Sequence, residues 1–244
     1  MEIMKRICVL TGASGLLGTE FLRRYAQKYR IIAVYNHNQP QFSTQDQVMF
    51  NPLAPDAILT ENLHPLYAVR ANLQKQDDID RLITKVKQHF GGVDLLINCA
   101  AVRNFSNLLL PRAVRNADKV FAINVVAPLR LSVGVAKAFW TQHPEANRKN
   151  KRNVINISST AGLFIYPNLG QGLYCASKAA LNALTGHLAS EFNSLGIRVN
   201  AVAPDTFPGR VSMDAVLESI IRLDESDETG QIVQFPAVRA NQPQ

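Results

Sequence analysis

Short apolar runs, many of them β-branched, recur along this chain, and stretches with helical spacing separate them. The runs Arg6–Leu10, Ile31–Tyr35, Ala68–Ala71, Leu95–Asn98, Asn153–Ser158, Arg198–Ala203 and Gln231–Phe235 read as strands. Helical spacing occupies Leu17–Tyr29, Asp77–Phe90, Pro111–Asn124, Ala127–Thr141, Leu173–Leu195 and Met213–Leu223. Strands that are apolar throughout must be buried on both faces. Alternation with helices then predicts an α/β fold with a parallel sheet covered on both sides. At 244 residues and 47% hydrophobic content, with no linker-like or low-complexity tract, one domain spanning residues 1–244 accounts for the whole chain.

In such sheets, ligands bind outside the carboxyl ends of the strands. Gly12, Asn98, Ser159 and Pro204 all fall just past predicted strand ends, so residues distant in sequence share one rim. The segment Thr11–Gly18 links the first strand to a helix and carries Gly12, Gly15 and Gly18. In that context glycines permit tight turning and close approach of backbone to a pyrophosphate at the positive end of a helix. A plain turn capping the helix is the bland reading. Tyr174 and Lys178 are four residues apart, on one helix face, with Ser159 fifteen residues upstream. A phenol, an ammonium and a hydroxyl converging on one point make a proton-transfer site, in which the ammonium favours the phenolate.

The three cysteines, Cys8, Cys99 and Cys175, sit in buried-type contexts without metal spacing, which points to reduced thiols and a cytoplasmic setting. No run approaches membrane-spanning length, and the first strand begins too early for a signal peptide. The formal charge is +7, concentrated in Arg148–Arg152. A solvated loop explains that cluster better than nucleic-acid binding, because no basic stripe with interleaved aromatics accompanies it. A positive potential suits a polyanionic cofactor or an acidic substrate.

From about Arg6 to about Pro204 the chain resembles the short-chain dehydrogenases/reductases, a doubly wound, Rossmann-like family. Besides the glycine loop, Ile97–Ala101 resembles the family's Asn-Asn-Ala-Gly segment, Phe121–Val125 its active-site asparagine segment, and Ile157–Gly162 its catalytic serine segment. Tyr174 and Lys178 match its Tyr-x-x-x-Lys pair, and Val199–Pro204 its nicotinamide-side strand. The resemblance implies Asn124, Ser159, Tyr174 and Lys178 as catalytic residues, with Ser158 the alternative serine. It implies a dinucleotide held by Gly12, Ser14, Gly15, Leu16, Leu17 and Gly18, by Asn36 and His37, by Asn72 and Leu73, by Asn98, Ala100 and Ala101, and by Tyr174, Lys178 and Pro204. No metal is implied.

The implied reaction moves a hydride between a nicotinamide cofactor and a carbonyl or secondary alcohol. Tyr174 is general acid for reduction and base for oxidation. A free phenol titrates near ~10, so a base at neutral pH needs roughly 4 kcal/mol of phenolate stabilisation. Lys178 and the oxidised nicotinamide are the expected sources. Ser159 would bond the substrate oxygen, and Asn124 would hold a water relaying protons from Lys178. Each has a bland counterpart: a buried asparagine bonding backbone, serines ending a strand, an exposed helix lysine. Cys175, beside the site, is assigned no role.

Three features depart from the family pattern. The glycine spacing matches the extended, epimerase-like branch, keeping an epimerase or dehydratase as an alternative; a non-catalytic dinucleotide sensor is another. Ala101 and Asn72 replace a glycine and an aspartate. Pro204-Asp205 replaces Pro-Gly, and Thr206–Ser212 is short for a substrate-covering lobe, suggesting an open pocket, a carrier-tethered substrate or a lid from another subunit. Without a carboxylate at Asn36, His37 and Asn38, the second strand's end leans toward NADP over NAD. The Gln39–Leu66 excursion could cover the adenine side. The resemblance also implies a homo-oligomer, dimer or tetramer, formed through the Ala127–Thr141 and Leu173–Leu195 helices.

Overall fold

The structure, a computed structural model, describes residues 5–40, 48–49, 66–167 and 169–235. Its strands are β1 (Arg6–Thr11), β2 (Tyr29–Tyr35), β3 (Val48–Met49), β4 (Leu66–Arg70), β5 (Leu95–Asn98), β6 (Asn153–Ile157), β7 (Arg198–Ala203) and β8 (Ile232–Gln234). They form one parallel sheet in the order β3-β4-β2-β1-β5-β6-β7-β8. From β1 the chain winds outward first through β2 and β4, then reverses through β5, β6, β7 and β8. The reversal opens a crevice between the carboxyl ends of β1 and β5, where ligands of such sheets bind.

The helices are α1 (Leu16–Tyr25), α2 (Gln76–Phe90), α3 (Pro111–Arg115), α4 (Ala117–Phe121), α5 (Ala127–Val135), α6 (Pro144–Lys149), α7 (Gly172–Phe192) and α8 (Met213–Glu225). Alternate strand side chains feed two apolar layers. Cys8, Leu10, Ile31 and Leu95 pack with Phe21 of α1 and Leu217 of α8. Val9, Ile32, Leu96 and Val154 pack with Leu82 of α2, Leu131 of α5 and Leu188 of α7 on the other face. Burying both faces in this way is the dominant stabilising term for a parallel sheet.

Several expected boundaries shift. The first helix ends at Tyr25, and Tyr29 instead opens β2, where its hydroxyl donates to Asp224 Oδ2 at 2.8 Å. The Pro111–Asn124 pattern breaks into α3, α4 and a π-helical turn, Ala122–Val126, that runs on into α5. With a second π turn at Ala136–Trp140, residues Ala117–Trp140 make a continuous 24-residue helix. Contrary to the sequence reading, that helix is long and apolar enough to cross a membrane by length and composition alone. Half of its most apolar window is buried inside the protein.

The basic Arg148–Arg152 cluster is not simply a solvated loop. Its first part belongs to α6, and half-buried Arg152 donates to Asn147 Oδ1 at 2.8 Å and Phe139 O at 3.2 Å. Most of the Gln39–Leu66 excursion lies outside the described residues. Its two-residue strand β3, pairing with β4, was not anticipated.

Candidate active site

The first wall of the crevice is the turn after β1. Gly12 has φ +66°, and a Cβ there would stand 2.7 Å from the Ala100 nitrogen. Only glycine lets the β1 turn and the β5 end approach this closely. Thr11 Oγ1 fastens the two, accepting from Cys99 N at 3.0 Å and Ala100 N at 3.1 Å. Gly15 caps α1 without a side-chain hydrogen bond, and no acid lies in the first turn. The first amides of α1 are therefore free to meet an anion at the positive end of the helix dipole.

A cleft of about 610 Å³ runs from this turn along the rim. Of the residues expected to hold a dinucleotide, Gly12, Ser14, Gly15, Leu16, Leu17, Asn36, His37, Leu73, Ala100, Ala101, Tyr174 and Lys178 line it. Gly18, Asn72, Asn98 and Pro204 do not. Gly18 packs behind the loop against Gly12 O. Asn72 turns its Oδ1 to Gln74 N at 3.1 Å in a local turn. Asn98 is buried behind the rim, where its Nδ2 donates to Asn156 Oδ1 at 2.9 Å. Pro204 is buried, and its carbonyl accepts from Thr160 N at 3.1 Å and Ser159 Oγ at 3.3 Å.

Tyr174 and Lys178 occupy successive turns at the start of α7, as their spacing requires. Lys178 is only 2% exposed; its Nζ donates to Ile157 O at 2.7 Å and lies 5.7 Å from the centre of the Tyr174 ring. Burial pushes its ammonium down to about 8, with the Arg103 charge acting in the same direction and Cys99 opposing. Ile157 O is its one hydrogen-bond acceptor among the described residues, leaving N–H donors over for a ligand. Gly162 makes the serine turn fit: a Cβ there would lie 2.5 Å from the Lys178 carbonyl carbon. That contact holds the turn after β6 against α7.

Of the two serines, only Ser158 is among the residues lining the cleft. It is buried and donates to Lys178 O at 3.4 Å. Ser159 is half-buried, and its Oγ accepts from Ala161 N at 3.1 Å. The Ser159 hydroxyl also favours ionisation of the Tyr174 phenol. Even so, the phenol is raised above its ordinary value rather than lowered. Burial is the largest cause, and Arg103 is the foremost cation opposing it. The expectation of a phenol acidified by Lys178 is thus reversed in the protein on its own. Tyr174 is a protonated acid at neutral pH.

Asn124, fully buried in the π turn, spends its side chain on structure. Its Oδ1 accepts from Val102 N at 2.8 Å, and its Nδ2 donates to Val102 O at 3.0 Å and Ser177 Oγ at 2.9 Å. Every amide hydrogen is engaged, so this side chain positions the chain after β5 and has no N–H left for a relaying water. Three contributors escaped the sequence reading. Arg103 and Lys119 line the cleft beside Lys178, and no carboxylate is among its lining residues. Arg70, at the end of β4, donates from Nε to Asn36 O at 3.0 Å. Only the sheet order, with β4 beside β2, brings it there. The thiols are unactivated: burial raises Cys99 to about 11 and also raises Cys175, which is half-buried.

A family described as short chain dehydrogenase matches residues 6–218. The chain is 30% identical over 243 residues to a 3-oxoacyl-[acyl-carrier-protein] reductase of Synechocystis sp., covering 98% of this chain and 85% of that protein. It is also 30% identical to a nodulation protein G of Rhizobium sp., over 83% of this chain and 74% of the relative. Among solved structures, a 4-hydroxyisoleucine dehydrogenase complexed with NADH and succinate superposes with a TM-score of 0.71 at 27% identity. That match covers 95% of this chain and 98% of the dehydrogenase.

Proposed function

The chain belongs to the short-chain dehydrogenases and is a nicotinamide-dependent oxidoreductase; on that premise we propose how its own residues divide the reaction. The carrying observation is the Tyr174 phenol in a cleft whose far end is the glycine turn. When bound, the dinucleotide supplies the hydride for carbonyl reduction or accepts it from an alcohol. The α1 amides with Gly12, Ser14, Gly15, Leu16 and Leu17 would hold its pyrophosphate. Lys178 would hold acceptors on the nicotinamide side with its spare N–H donors. Tyr174 then donates its proton to the substrate oxygen, which Ser159, or Ser158 beside it, steadies by hydrogen bonding. The buried Lys178 ammonium, below the ring, stabilises the phenolate left behind. Asn124 acts by fixing Val102 and the segment after it.

NADP is favoured over NAD. Asn36, His37 and Asn38 line the adenine end without a carboxylate, and Arg70 supplies a guanidinium beside Asn36. A carrier-tethered or small carbonyl substrate fits the short Thr206–Ser212 segment and the exposed Phe105, whose ring meets Tyr174. The carrier-tethered case also follows the names of the reductase relatives. We further read residues 1–244 as a single cytoplasmic domain that self-associates as a dimer or tetramer. The glycine spacing alone favours an epimerase, and nothing else supports that reading. The test is consumption of NADPH and NADH with a panel of ketones and aldehydes. Turnover of at least one, faster with NADPH, is expected; dinucleotide binding with no turnover across the panel contradicts the proposal.

A further inference from the structure

The chain leaving β5 is pinned on both sides of a short exposed stretch. Asn124 clamps both the N–H and the C=O of Val102. Four residues on, Ser106 N donates to Gly170 O at 2.7 Å, and Arg112 Nε donates to Ser106 Oγ at 2.9 Å. Between these pins, the Phe105 ring meets the Tyr174 ring edge-on, centroids 5.9 Å apart. Arg103 lines the same cleft. A cation delivered by a segment held this firmly, next to the proton donor, is placed rather than stray.

Its surroundings leave it unanswered. Arg6, Arg24, Arg81, Arg210 and Arg222 each find a carboxylate. Arg103 has no ion pair or hydrogen bond among the described residues, and no Asp or Glu lines the cleft. Instead it faces a second cation, the buried Lys178, whose charged form it disfavours. Two like charges around one pocket repel until an anion enters between them. A guanidinium is the group best suited to grip a planar or tetrahedral oxyanion through paired N–H donors.

We propose that Arg103 anchors the substrate, and that the substrate is a carbonyl compound bearing a carboxylate or phosphate within a few atoms of the reacting carbon. This deepens the oxidoreductase reading and rests on it. Kinetics with reduced dinucleotide would compare wild type, Arg103→Gln and Arg103→Lys on two matched pairs: 3-oxobutanoate against its ethyl ester, and dihydroxyacetone phosphate against dihydroxyacetone. Wild type should prefer the charged member of at least one pair, and which pair tells carboxylate from phosphate. Arg103→Gln should raise KM for that member about 10- to 100-fold, with the neutral member and the dinucleotide within about twofold. Arg103→Lys should recover part of the loss.

Equal effects on charged and neutral members, or an effect confined to the dinucleotide, would overturn the assignment. Calorimetric titration of the complex with oxidised dinucleotide, which has no hydride to give a carbonyl, with the same two anions reads the anchor without turnover. Binding of neither anion, or equal binding by wild type and Arg103→Gln, also overturns it. Arg103-dependent binding with no turnover of any carbonyl keeps the anchor and removes the reductase reading instead.

Discussion

The two ends of the sheet handle polar groups in opposite ways. At the amino ends of the strands, Arg6 pairs with Asp224 at 2.8 Å, and Tyr29 donates to the other oxygen of the same carboxylate at 2.8 Å. Arg198 donates to Leu223 O, Ser226 O, Lys151 O and Asp224 O, tying the end of α8 under β7. There the charged and polar side chains bond one another and the backbone, with Arg6 Nε the exception in this group, and the result is a lock on the fold. At the carboxyl ends, Arg103 has no partner among the described residues, the α1 amides are uncapped, and Lys178 has donors to spare. That end is complete only with a ligand in place. Comparing the two separates residues that hold the protein together from residues that wait for chemistry.

The contrast can be broken by substitution. Asp224→Ala should cost about 3 kcal/mol of unfolding free energy, because it removes the carboxylate facing Arg6 and the acceptor of the Tyr29 hydroxyl. Denaturant melts would read that loss, with turnover per folded molecule unchanged; a change in turnover would join the lock to the site. Gly12→Val puts a side chain against the Ala100 backbone and should weaken dinucleotide binding about 100-fold in fluorescence titration. Retained affinity would remove the glycine turn from the site. Arg70→Gln should weaken NADPH about tenfold and NADH hardly at all. Equal effects would mean that Arg70 merely braces β2.

The smallest effect concerns pH. Lys178, lowered to about 8 by burial, is charged below that value and neutral above it. Its attraction for an anionic ligand is therefore present below pH 8 and fades above it. The dinucleotide dissociation constant of wild type should rise by roughly fivefold across this range, whereas Lys178→Met should bind weakly and without that dependence. A flat wild-type profile would show that the lysine charge does not reach the ligand.

Much of this was legible in the sequence, for identifiable reasons. The strands announced themselves because a parallel strand buried on both faces is largely apolar; β6 and β7 are buried throughout, with Asn153, Asn156, Arg198 and Asn200 interrupting their apolar runs. Tyr174 and Lys178 were legible because one helix carries both. Tyr29 misled, since it continues the helical spacing of α1. What places it in β2 is a bond to Asp224, a residue 195 positions away, which no local pattern can report. Arg70 and Arg103 were invisible for the same reason. Arg70 matters only because β4 lies beside β2, and Arg103 only because Asn124 grips the backbone next to it. The asparagine itself was found by motif, but its use as a clamp depends on Val102, which no spacing rule selects. The raised phenol was missed because the local sequence does not report the burial that is its largest cause.

The account depends most on Tyr174 giving up its proton at the rim while the rest of the cleft merely holds what reacts. Steady-state turnover of Tyr174→Phe, alongside its dinucleotide affinity, measures this most directly. The expected result is turnover reduced by about a thousandfold or more, with dinucleotide affinity and melting temperature close to wild type. A variant that still consumes the reduced dinucleotide with a carbonyl at near wild-type rate would contradict it.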